Sequence, residues 1–144
     1  MDSLNRTLTS CFENILELKR NITIVSRRLG SDSNMKNLDR SFLIDQKTRL
    51  EYYVNELDEE YAKISEVFKS NKFNKFKKNL NPDVYNDYVK EHRDCYSFSI
   101  RTHNKIDKIE SLLDKENTFH FGRTRTTKNT KRMVIDLKRL LTIM

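Results

Sequence analysis

Apolar residues recur along this chain at alternating intervals of four and three. From residue 4 to residue 29 the series is Leu4, Leu8, Cys11, Ile15, Leu18, Ile22, Val25 and Leu29. That spacing lays one stripe of side chains along one face of a helix, as in a heptad seam. Asp2 or Ser3 can cap its start, and Gly30 suits its C-terminal stop. A rod of this length, at 1.5 Å per residue, is about 40 Å long and needs a partner surface to match. The stretch GSDSNMKN, 30–37, loses the period and reads as a loop. A second helix then starts near Asp39 and runs to about Lys69. Leu43, Leu50, Leu57 and Ile64 repeat every seven residues, with Val54, Tyr61 and Phe68 alongside. Phe42, Tyr52, Tyr53 and Val67 widen this stripe, as expected of a helix that touches two neighbours.

Asn81-Pro82-Asp83 marks a third start, with Asn81 as cap and Pro82 at the first helical position. This helix extends to about Glu116. Its stripe begins with Tyr85, Tyr88 and Val89 and ends with Ile106, Ile109, Leu112 and Leu113. Between them His92, Cys95, Tyr96, Ser99 and His103 form a mixed polar layer. The period breaks again over 117–131, a Thr-rich basic linker, and resumes over 132–144 as a short amphipathic helix. Val134, Leu137, Leu141 and Met144 form its stripe, which is still running at the last residue. The expected fold is all-α. An antiparallel three-helix bundle of long heptad-bearing helices over 1–116 is followed by the linker and the short C-terminal helix.

Composition supports long elements. In 144 residues there are 2 Gly and 1 Pro, so there are few turns. No apolar run is long enough to cross a bilayer, and no signal-peptide core precedes residue 20, so the expected location is intracellular, cytoplasmic or peripheral to a membrane. The 28 Lys and Arg against 21 Asp and Glu, a net charge of +7, favour acidic partners such as an acidic protein face, anionic lipid or nucleic acid. The charge is segregated. Residues 51–60 hold five acids and no base, whereas 69–80 and 123–132 hold five bases each and no acid.

The candidate chemistry is thin. His92 and Cys95 share a helix face, but His103 lies about 12 Å further along the axis, and a metal site needs three or four converging ligands. A Cys–His pair within a helix lacks an oxyanion hole, because helical N–H groups are already bonded. There is no phosphate-cradling glycine loop and no nucleophile-elbow or zinc-helix motif. The expectation is therefore no catalytic residue, no metal and no cofactor, with His92 and Cys95 as core and boundary residues.

The stretch KSNKFNKFKKNLNPD, 69–83, sets Lys72 and Lys75 beside Phe73 and Phe76. Such a basic amphipathic segment can meet an acidic groove or an anionic membrane. A solvated bundle tip closed by the two rings is the simpler reading, because Phe at a bundle end is ordinary core closure. Two sets of partner-contact residues are expected. The first is the terminal stripe Val134, Leu137, Leu141 and Met144; the second is Lys72, Phe73, Lys75 and Phe76. Arg123, Arg125, Lys128, Lys131 and Arg132 of the linker could instead contact phosphates.

The layout resembles the N-terminal three-helix regulatory domains of SNARE proteins, in which an antiparallel bundle is followed by a linker and a heptad helix that zips with partners. Leu4–Leu29, Leu43–Phe68 and Tyr85–Leu113 would be the bundle, and Val134–Met144 the start of the heptad segment. That segment carries no central Gln or Arg layer of the kind a full SNARE motif has. The resemblance implies a non-enzymatic module that binds protein partners in membrane traffic. The alternative from another class is a nucleic-acid-associated helical protein that uses its basic linker.

Overall fold

The structure, a computed structural model, describes residues 2–115. They form five helices: α1 Asp2–Leu29, α2 Asp32–Met35, α3 Arg40–Lys69, α4 Asn71–Lys77 and α5 Pro82–Lys115. Among the described residues there is no strand. The three long helices follow the three apolar stripes closely, and they pack as a helical bundle.

Local chemistry sets the breaks. Gly30 ends α1 at φ 73°, in the left-handed region, and its N–H donates to Ser26 O at 3.0 Å. A Cβ at this position would also come within 2.6 Å of Asn34 Nδ2, which donates to Leu29 O. The expected loop contains one helical turn, α2, because Ser31 Oγ accepts the Asn34 N–H and caps it. Met35 from that turn is completely buried. Ser70 separates α3 from α4 with an extended backbone. Its hydroxyl donates to Val67 O at 2.7 Å and accepts from the Phe73 N–H at 3.1 Å. Asn81 caps α5 as its sequence suggests, accepting the Asp83 N–H at 2.8 Å.

Helix α3 lies at the centre. It packs extensively on both α1 and α5, which touch each other little. The core is the sum of the stripes: Leu8, Ile15, Ile22 and Leu29 from α1, Leu50, Leu57 and Ile64 from α3, and Ile106 and Ile109 from α5. Each such burial contributes about 1.5–3 kcal/mol, which is what holds rods with few turns together. Polar contacts set the register of α3 on α5. Arg40 Nη1 donates to Leu113 O at 3.1 Å, Lys47 pairs with Glu110, Asp58 meets Ser99 and His103, and Ser65 meets His92. Between α1 and α5 the contacts run from Asn5 with Tyr88 to Gly30 O with Lys105.

Candidate interaction surface

The polar layer noticed in the third stripe is turned inward, with Tyr96 half-buried at its edge. His92, Cys95, Ser99 and His103 are all buried against α3. Ser99 Oγ donates to Asp58 Oδ1 at 2.5 Å, and His103 Nε2 lies 3.0 Å from Asp58 Oδ2. A serine, a histidine and an aspartate thus meet, but in an order that does not activate the hydroxyl. The carboxylate sits between the other two, so the serine proton points at Asp58 and not at the imidazole. About two turns away along the bundle, Ser65 Oγ donates to Tyr61 O at 3.0 Å, and His92 Nε2 lies 2.9 Å from that hydroxyl. The serine proton is committed, so Nε2 must carry the hydrogen and donate to Ser65. His92 also stacks on Tyr61 at 4.0 Å between ring centroids. Burial holds its pKa down to about 4, so this imidazole is neutral at physiological pH.

Burial likewise pushes the Cys95 thiol up to about 12 and the Cys11 thiol up to about 11, the latter helped by the Glu60 carboxylate. Neither is a thiolate at neutral pH, which is the reactive form. Among the described residues no three His, Cys, Asp or Glu side chains are placed to hold a metal ion. The layer does structural work. It specifies which residues of α3 face which residues of α5.

The lysine-rich tip is α4 with its flanks. Phe73 and Phe76 are buried, and the Phe73 ring lies 4.8 Å from Phe68 and 6.2 Å from Tyr85. Lys72, Lys75, Lys77 and Lys78 are exposed. The rings close the end of the core and the ammonium groups remain in water. Of the second expected contact set, then, Lys72 and Lys75 lie at the surface, while Phe73 and Phe76 face inward. The first set, Val134, Leu137, Leu141 and Met144, and the linker cations Arg123, Arg125, Lys128, Lys131 and Arg132 lie outside the described residues.

A third surface is one the heptad reading passed over. Because α1 and α5 each pack on α3 but little on each other, a seam stays open between them. Toward its start, Thr9, Phe12, Glu13 and Leu16 of α1 face Asp87, Tyr88 and Glu91 of α5 around a hollow of about 420 Å³. The Phe12 and Tyr88 rings stack at 5.3 Å and form its floor. Leu16 is 51% exposed beside them. Further along, Ile22, Thr23, Ser26 and Arg27 face Phe98, Arg101, Thr102 and Lys105 around a second hollow of about 310 Å³. Arg101 lies over the Phe98 ring at 5.7 Å, and Lys105 Nζ donates to Gly30 O at 2.7 Å. The sequence did hold a signal: Phe12 and Leu16 are four apart, one position off the α1 seam. A second narrow apolar row beside a buried one suggests a second neighbour.

No known family model, curated protein or solved structure matches this chain.

Proposed function

We propose that this protein is a non-enzymatic helical interaction module, an antiparallel three-helix bundle that presents helical faces to protein partners within a larger intracellular assembly. The observation that carries the reading is the open α1/α5 seam. Phe12, Leu16 and Tyr88 offer apolar surface there between two helices that each already bury one face. Exposed contiguous apolar surface in a groove is the usual mark of a protein contact. On the resemblance to SNARE regulatory domains, the setting is membrane traffic, and the terminal stripe Val134, Leu137, Leu141 and Met144 is a second contact.

Affinity capture with mass spectrometry tests this, comparing the wild-type chain with Leu16→Asp and Leu137→Asp at unchanged helical circular dichroism. A protein retained by the wild type, released by at least one variant, and rebinding as a purified pair is the expected result. Failure to retain any protein overturns the reading. So does retention of generic duplex or single-stranded nucleic acid, with a steep salt slope lost when Arg123, Arg125, Lys128, Lys131 and Arg132 become Ala. That result selects the nucleic-acid alternative.

A further inference from the structure

The α1/α5 seam is not electrically uniform. At its first hollow the rim is acidic: Glu13 from α1, Asp87 and Glu91 from α5, all exposed and none in an ion pair among the described residues. At its second hollow the rim is basic: Arg27 from α1 and Arg101 from α5, both exposed, with Lys105 beneath. The two helices keep step. Glu13 and Arg27 are fourteen residues apart on α1, and Asp87 and Arg101 are fourteen apart on α5. Along an α-helix that is about 21 Å, or close to four turns. The acidic end stands out against a chain of net charge +7. Between the two rims the floor is mostly apolar, from Phe12, Leu16 and Tyr88 to Ile22 and Phe98, with Lys19 of α1 lying over the Phe98 ring at 5.5 Å.

From this geometry we infer that the α1/α5 seam is a directional docking groove for one amphipathic helix of a partner protein. That helix carries cations at one end and carboxylates about four turns away, with an apolar stripe between them. It lies with its cationic end over Glu13, Asp87 and Glu91 and its acidic end over Arg27 and Arg101. The apolar stripe supplies contact area, and the two charged ends choose the direction, since turning the helix end for end places like charges together at both rims. The inference rests on the reading of this protein as a partner-binding module and adds the face, the partner's chemistry and its polarity.

The test uses the full chain and three fluorescein-labelled 18-residue helical peptides with the same leucine stripe. One has three Lys at one end and three Glu at the other. A second has the same six residues interspersed, and a third has Glu at both ends. Anisotropy titrations are expected to favour the first peptide over the other two by about tenfold at low salt, with the preference shrinking as salt rises. Glu13→Lys with Asp87→Lys, both surface changes that leave the core intact, should invert the order so that the peptide with Glu at both ends binds best. A nitroxide on the Lys end should broaden the amide signals of Glu13 and Asp87 and spare those of Arg27 and Arg101. Equal affinities for the first two peptides, or no inversion in the double variant, would overturn the inference, as would equal broadening at both ends. If a protein partner is captured through Leu16 while these peptides are not discriminated, only the polarity fails. If neither binds, the interaction reading fails with it.

Discussion

Two seams of this bundle are built from the same kind of helix and behave oppositely. Between α3 and α5 the seam is shut. Across it Asp58 pairs with Ser99 and His103, Ser65 with His92, and Lys47 with Glu110. Between α1 and α5 the seam is open, floored by stacked rings and rimmed by exposed charge. The difference lies in what each polar group faces. A polar side chain opposite a complementary one at close range can be buried, because its desolvation is offset by the bond it makes. A carboxylate with no partner stays in water and holds the neighbouring helix off. Histidine, serine and aspartate in the closed seam therefore mark register, whereas ordinary leucine and phenylalanine in the open seam mark a place to bind.

That contrast can be broken from the closed side first. Asp58→Ala leaves Ser99 and His103 facing each other without their acceptor in a buried site. Unfolding by urea should show a loss of about 3–4 kcal/mol. Acid should act on the same seam through His92. Burial keeps its pKa near 4 in the fold against 6.5 in the unfolded chain. Between those values the unfolded state binds the extra proton, so stability falls as pH is lowered through that window. The loss amounts to about 3 kcal/mol by pH 4. A series of urea midpoints from pH 7 to pH 4 should show it, and His92→Gln should flatten the part this residue contributes.

Smaller effects are expected where the open seam is tied off. Gly30→Ala puts a Cβ on a residue at φ 73° and against Asn34, so thermal unfolding should report a loss of about 1–2 kcal/mol. The least change in stability belongs to Leu16→Asp. Leu16 lies outside the core, so the unfolding free energy from urea titration should change by no more than about 0.5 kcal/mol while partner capture is lost. A large destabilisation would place Leu16 in the folding core and make the open seam part of the closed one.

Much of the architecture was legible in residue order. Eight apolar positions from Leu4 to Leu29 foretold α1, Gly30 its end, and Asn81-Pro82 the start of α5. These are local signals, read by the backbone within a few residues. Ser31 and Ser70 were less legible. Each acts as a cap only because the chain around it turns, and so the turn α2 and the short helix α4 were not foreseen as elements, although the end of α3 at Lys69 was. The tip was half legible. Its alternation of Lys and Phe identified an amphipathic segment, but whether the rings of Phe73 and Phe76 face a partner or the core depends on Phe68 and Tyr85, five and twelve residues from Phe73 on other helices. The groove was the least legible part, because its walls come from residues 9–27 and 87–105, which no local pattern connects.

Periodicity and caps alone determined that this protein is helical, how long its principal helices are and where they stop, since a helix is closed by hydrogen bonds that reach only four residues. Tertiary structure decided which faces meet. It drew His92, Ser99 and His103 into pairs with α3, turned the phenylalanines of α4 inward, and left α1 and α5 apart. The reason is that burial of a polar or apolar group is settled by what stands opposite it, and what stands opposite comes from distant parts of the chain.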